Sequence, residues 1–276
     1  MRMLTVTLAL SGAALSTNAF AQARDTHFDG PYVSATIGLA AQGNDGGDTL
    51  VFDKDGDGSY DDTILTSGGA NAFSPGFCGG VSNGNAPALG CRSDRDKLEY
   101  AVRAGFDRRS GNVVLGALVE GSMNNSKDGT SGFSTTPAGY SIQRELDYAV
   151  SLRARAGFTP GGGALFYVTG GGSYGKLKHT FATTNTANAF DEQRDGKMVW
   201  GWQAGGGAEV MVTDNVSLGL EYLYNRYRDN KYRVAVTQGT APATNPFILT
   251  SAQTNIRSSD RNFDFHSLRA SLSFQF

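Results

Sequence analysis

Thirteen consecutive residues, from Leu146 to Phe158, alternate without a break. Leu146, Tyr148, Val150, Leu152, Ala154, Ala156 and Phe158 fall on one parity, and Asp147, Ala149, Ser151, Arg153, Arg155 and Gly157 on the other. A period of two belongs to a β-strand with one greasy face. The run is more than twice the ~5 to 6 residues of an average soluble strand. The pattern recurs at 98–107, 198–212, 216–225 and 267–276, and more weakly at 31–41, 113–122 and 164–176, which predicts eight strands. After the first 20 residues no apolar run approaches the ~18 needed for a membrane helix, and mean hydropathy is negative. That excludes helical spans only, because a barrel strand offers lipid every second residue.

The connections between these segments alternate strictly in length. Ser110-Gly111-Asn112, Pro160-Gly161-Gly162-Gly163 and Thr213-Asp214-Asn215 are tight turns, whereas 42–96, 123–144, 177–196 and 228–261 are long. All short turns at one end and all long loops at the other is the pattern of an outer-membrane barrel, and an even strand count returns both termini to the periplasmic side. Aromatic placement agrees. Tyr100, Tyr148, Tyr174, Trp200, Trp202, Tyr222 and Tyr224 fall toward the long-loop ends, and Phe106, Phe158, Phe166, Phe274 and Phe276 toward the short-turn ends, as two interfacial girdles. A soluble sandwich, the alternative, would scatter them. The expected fold is therefore all-β: an eight-stranded antiparallel up-and-down transmembrane barrel with long extracellular loops and short periplasmic turns. In the last loop, Tyr232–Thr237 and Phe247–Ser251 are expected to form a hairpin above the membrane, too short in apolar residues to add two spanning strands.

Residues 1–21 read as a secretory signal, with Arg2, an apolar stretch from Leu4 to Leu15 and Ala19-Phe20-Ala21 as cleavage site, so the barrel domain is expected over 22–276. Export to an oxidising compartment predicts a disulfide between Cys78 and Cys91. With 24 basic against 26 acidic residues there is no field to hold a nucleic acid. The 37 glycines lack a period of three, which excludes a collagen-like chain; they concentrate in turns and in runs such as 170–172 and 205–207.

The inward parity carries Glu99, Asp107, Glu120, Asp147, Glu209 and Glu221 beside Arg103, Arg153, Arg155 and Arg269. In an eight-stranded barrel, just wide enough for side chains to fill, these are expected to form a cross-strand charged network. A narrow porin-like diffusion channel is the alternative. Catalytic residues are not expected. Of three histidines, His266 lies on the lipid-facing parity, and in a strand its neighbour Ser267 points to the opposite face. His27 lies near the expected mature terminus and His179 in the third long loop. The glycine runs lack the following Lys and helix of a phosphate loop.

The first loop contains Asp53-Lys54-Asp55-Gly56-Asp57-Gly58-Ser59-Tyr60-Asp61-Asp62. Oxygen donors from Asp53, Asp55, Asp57 and Asp61, a backbone carbonyl at Ser59 and a turn-forming Gly58 suit a hard cation such as Ca2+, and the segment resembles the calcium loops of thrombospondin type 3 repeats. The twelfth position is Ile64, so the bidentate acid of an EF-hand is absent, with Asp62 the substitute at hand. A solvated acidic loop is the alternative. If bound, Ca2+ would order the loop for adhesin-like presentation.

Several stretches together resemble the small outer-membrane β-barrel family of OmpA-like and opacity-like proteins, of the alphaproteobacterial surface-antigen type. These are Phe28-x-Gly30-x-Tyr32, residues 151–175, residues 201–224 and the terminal SLSFQF. The resemblance covers most of 28–276 outside the long loops. It implies an eight-stranded barrel that presents surface loops to a host, phage or ligand, and no reaction or required cofactor. It also implies that Leu272, Phe274 and Phe276 form the terminal signal read by the barrel-assembly machinery.

Overall fold

The computed structural model describes residues 27–42, 47–93 and 96–276. The expected signal segment 1–21 lies outside them. In chain order the described strands are β1 (Gly30–Gln42), β2 (Leu50–Asp53), β3 (Gly76–Gly79), β4 (Val81–Ser82), β5 (Cys91–Arg92), β6 (Lys97–Ser110), β7 (Val113–Asn124) and β8 (Lys127–Ser134). They continue with β9 (Ala138–Phe158), β10 (Ala164–Thr183), β11 (Ala189–Gln193), β12 (Met198–Met211), β13 (Val216–Arg228), β14 (Arg233–Thr237), β15 (Thr254–Ser258) and β16 (Asn262–Gln275). No α-helix occurs among the described residues.

Eight of these strands close into the barrel. Around the ring they run β1, β6, β7, β9, β10, β12, β13, β16 and back to β1, every pair antiparallel. Closure leaves the ring of eight without an edge where it crosses the membrane, which is what lets strands cross lipid with all backbone groups paired. The lipid-facing residues are apolar and exposed, among them Val102, Leu152, Val168 and Leu220, as the period-two reading requires. Turns are tight at the short end: β6 and β7 are joined by Gly111 and Asn112 alone, with Gly111 at φ +61°. That positive φ, natural for glycine, matches the twist of a two-residue hairpin. Elsewhere glycine allows strands to crowd, since a Cβ on Gly171 or Gly205 would strike a carbonyl oxygen of the neighbouring strand.

At 21 and 20 residues, β9 and β10 are far longer than the ~9 to 11 residues that cross a bilayer. Their outer halves rise above the membrane and carry β8 and β3 as added strands. Beside them a separate four-stranded sheet, in the order β11, β14, β15, β2, gathers segments from three different loops. The hairpin expected in the last loop is therefore corrected in its second arm. β14 pairs with Thr254–Ser258, not with Phe247–Ser251, whose Phe247 is buried in the core between the loops. Phe247 is held there by contact with Phe52, Phe73 and Tyr140.

One residue departs from the alternation. Between β9 and β10 the register slips: Tyr148 faces Lys176 and Leu146 faces Leu177, so Asp147 is a bulge residue with no partner. A bulge inserts one residue and reverses which parity faces inward. Below it Ala149, Ser151, Arg153 and Arg155 are buried; above it Leu146, Arg144, Ile142 and Tyr140 are. Two expectations are thereby corrected. Leu146 points inward, and Asp147 sits on the outer surface, where it pairs with Lys178 at 2.8 Å and Lys176 at 3.8 Å.

Candidate functional site

The barrel interior holds five acids and four arginines, all buried: Glu99, Asp107, Glu120, Glu209 and Glu221 against Arg103, Arg153, Arg155 and Arg269. They are arranged in two tiers. In the lower tier the guanidinium of Arg155 donates to Asp107 and, at 2.7 Å, to Glu209. The rings of Tyr32 and Tyr167 lie 4.5 and 5.2 Å from its carbon, so the cation is held by aromatic faces as well as carboxylates. In the upper tier Glu120 accepts from Arg153 at 2.6 Å and from Arg269 at 2.7 Å, while Glu221 accepts from Arg103 at 3.1 Å and Arg153 at 3.3 Å. Glu99 pairs with Arg269 at 2.9 Å, and the Tyr167 hydroxyl donates to Glu221 at 2.9 Å. The charged groups come from six strands and the two tyrosines from the other two, so the network ties the wall together across the lumen. Its charges compensate almost fully, as taking ions out of water demands.

Both ends of this charged column are covered by apolar layers. On the periplasmic side Phe28, Val114, Leu165 and Tyr167 pack together, and the Phe28 amide donates to the Gln275 side chain at 3.0 Å. On the outer side Leu146, Ala149, Leu177, Tyr227, Phe263 and Phe265 form a second layer with Ala40. Above that layer Arg144, 4% exposed, reaches three carboxylates from different segments: Asp128 at 2.5 Å, Asp260 at 2.5 Å and Asp229 at 3.4 Å. Asp229 also meets the His179 ring at 3.0 Å, and that ring stacks on Tyr232 at 3.9 Å. Burial pushes the Asp229 carboxyl up, but the His179 hydrogen bond and the nearby Arg144 outweigh it and hold the carboxyl below the usual range.

Over this clamp the loops share one apolar core, contributed by Leu50, Phe52, Ile64, Phe73, Tyr140, Ile142, Val234, Val236, Phe247 and Ile256. A disulfide joins Cys78 to Cys91 at its margin. The long connections thus form a compact extracellular module, not separate loops.

Arg144 and the loop core were not legible from parity. Counting by twos from Tyr148 places Arg144 on the lipid face, and only the bulge at Asp147 turns it inward. In the aspartate-rich segment, carboxylates of Asp53 and Asp55 converge with that of Asp62, the three ligand atoms lying within 4.8 Å of one another. Asp57 is spent locally: its carboxylate accepts the Ser59 amide at 2.6 Å, and its own amide donates to Asp55. Asp61 stands outside that group of three. Asp53 is further engaged by the Gly56 amide and the Asn255 side chain. His266 lies outward, hydrogen-bonded to the Tyr222 hydroxyl at 2.6 Å, while Ser267 is buried on the opposite face. Leu272 and Phe274 face lipid in β16, and exposed Phe276 follows it, its ring 5.1 Å from that of Phe274.

No family model matches the chain. Over 179 residues, 63% of its length, it is 30% identical to the 31 kDa outer-membrane immunogenic protein of Brucella melitensis, and equally to the protein of that name from Brucella suis. The match spans 60% of those relatives' length. A 22 kDa outer membrane protein of Rhizobium leguminosarum is 27% identical over 158 residues, 56% of this chain and 65% of the relative. In fold the chain superposes on the outer membrane protein OprG of Pseudomonas aeruginosa with a TM-score of 0.50, covering 91% of this chain and 97% of that one at 11% identity. The protein is an eight-stranded outer-membrane barrel, embedded in that membrane's lipid, with outer-membrane homologues.

Proposed function

We propose that the barrel is a closed anchor that carries a rigid extracellular module, and that its task is structural or interactive: stabilising the envelope and presenting loops to a host, phage or ligand. The observation that carries this reading is the stack of layers along the axis. An apolar floor, two compensated charge tiers and an apolar lid fill the lumen from one end to the other. A narrow diffusion channel is the competing reading. Reconstituted in liposomes, the folded protein is expected to admit small sugars no faster than protein-free vesicles; swelling at a porin's rate would replace the anchor with the channel.

No enzymatic activity belongs to this reading. It is supported by the engagement of two histidines, His266 with the Tyr222 hydroxyl and His179 with the Asp229 carboxylate. The leader is expected to be removed after Ala21, and the terminal Leu272, Phe274 and Phe276 to engage the barrel-assembly machinery. Ca2+ in the first loop has the convergence of Asp53 and Asp55 with Asp62 in its favour; Asp57, which would first have to release the Ser59 amide, and Ser59 and Asp61 would join only on rearrangement of the loop. Protease cleavage within 53–62 that is slowed by Ca2+ and restored by a chelator would support it; identical cleavage in both would end it.

A further inference from the structure

The outer rim of the barrel is not uniform. Of its seven girdle aromatics, five stand on three adjacent strands: Tyr174 on β10, Trp200 and Trp202 on β12, Tyr222 and Tyr224 on β13. The outward parity of β13 reads Leu218, Leu220, Tyr222, Tyr224, Arg226, Arg228 from the membrane upward, passing from apolar through aromatic to cationic within one strand. Arg226 lies directly across from Trp202. Above the pair Gly201 and Tyr227 the two strands part: β12 continues to Met198 paired only with β10, leaving its other edge open. A cleft of about 890 Å³ occupies that gap.

Five cations line it: Arg194, Lys197, Arg226, Arg228 and Lys231. Among the described residues none of the five is in an ion pair, whereas the rim lysines 176 and 178 are tied to Asp147. The acids nearby are committed elsewhere. Asp229, the one acid among the described residues that line the cleft, is held by Arg144 and His179; Asp195 accepts the His179 amide; Asp264 accepts the Tyr224 hydroxyl. The floor is aromatic, with Trp200 71% exposed, its ring 4.8 Å from that of Tyr174, and Trp202 5.3 Å from Tyr224.

We propose that this cleft binds the phosphorylated headgroup of an outer-leaflet lipid. The anionic groups would lie among the five cations, where charge-assisted hydrogen bonds from guanidinium and ammonium groups favour phosphate oxygens. The acyl chains would run down over Trp202, Tyr222 and Tyr224 onto the apolar face of β13. Continuity with that face selects a lipid over a free anion: a soluble phosphate would gain nothing from the exposed aromatic floor. Interfacial aromatics with basic residues above them are where headgroups are met.

The test uses the full folded protein in detergent micelles, titrated with bis-phosphorylated lipid A and with the same lipid after phosphatase treatment, and read by native mass spectrometry. The phosphorylated form is expected to bind at least about tenfold more tightly, with one dominant 1:1 complex. A variant carrying Lys197→Gln, Arg226→Gln, Arg228→Gln and Lys231→Gln is expected to lose that preference, and Arg108→Gln at the periplasmic rim to keep it. Retained heat-modifiable gel migration confirms that each variant folds, and the comparison of the two lipids on the unaltered protein stands without any variant. Equal affinity for both lipids, undiminished preference in the fourfold variant, or displacement of the lipid by inorganic phosphate at matched phosphate concentration would overturn the assignment.

Discussion

Glu120 is the hinge of the upper charge tier, and neutralising it tests whether that tier holds the barrel together. Its two oxygens accept from Arg153 at 2.6 Å and Arg269 at 2.7 Å, with Arg103 at 3.7 Å, and the side chain is wholly buried. Glu120→Gln keeps the volume and one acceptor but leaves three arginines facing only Glu221 and Glu99. A buried charge-assisted hydrogen bond contributes about 1.5 to 3 kcal/mol, and breaking one side of a buried ion cluster costs about 3 to 5 kcal/mol. Since Glu221 still pairs with Arg103 and Arg153, the low end applies, about 3 kcal/mol. With an m-value on the order of 2 kcal/mol per M, the urea midpoint in lipid vesicles should fall by about 1.5 M. The double variant Glu120→Gln with Arg269→Met removes one excess cation but also the 2.9 Å partner of Glu99, so its loss should fall short of the sum of the two single losses without returning to the unaltered value. A midpoint shift below about 0.3 M, or a double variant less stable than the sum of its singles requires, would show that the upper tier does not hold the barrel together.

Other expectations follow from the same geometry. Arg144→Met strands three carboxylates beneath the loop module and should cost it about 3 kcal/mol, read as faster protease cleavage within 48–93 and 229–261 while heat-modifiable migration of the barrel is kept. The clamp should also respond to acid. Because the Asp229 carboxyl is held below its ordinary value of ~3.9, its contribution is complete above that pH and is lost as pH falls through the lower folded-state value, so protease resistance should persist to pH 4 and fail in stronger acid. Replacing Cys78 and Cys91 by Ser frees a short loop and should remove about 3 kcal/mol locally, seen as earlier cleavage between residues 79 and 90 with no change in barrel unfolding.

Much of the barrel was legible because lipid and lumen impose opposite chemistry on alternate residues. Wherever the register is unbroken, as from Leu98 to Phe106 or Leu268 to Phe274, parity placed each side chain on its observed face, including Arg103, Glu120, Arg153, Arg155, Glu209, Glu221 and Arg269. The reading failed at Asp147, where one inserted residue reverses the faces. Nothing in Leu146-Asp147-Tyr148 marks a bulge, since an acid between two apolar residues looks the same in a regular strand. The loop module was illegible for a different reason. Its core joins Phe52, Phe73, Tyr140, Val234 and Phe247, residues scattered over three loops, and each segment alone is too short and too mixed to show a period. The cationic cleft was hidden likewise: Arg226 and Arg228 continue the lipid-facing parity, but Arg194, Lys197 and Lys231 reach them only through the way the strands part above Gly201.

A sealed lumen passes no ions, and single-channel recording of the folded protein in a planar bilayer reads that property itself. A barrel filled from Phe28 to Phe265 should insert without stable conductance steps, and Arg153→Ala should lower its resistance to thermal unfolding far more than it changes the current. Reproducible open steps as large as those of a general porin would contradict it.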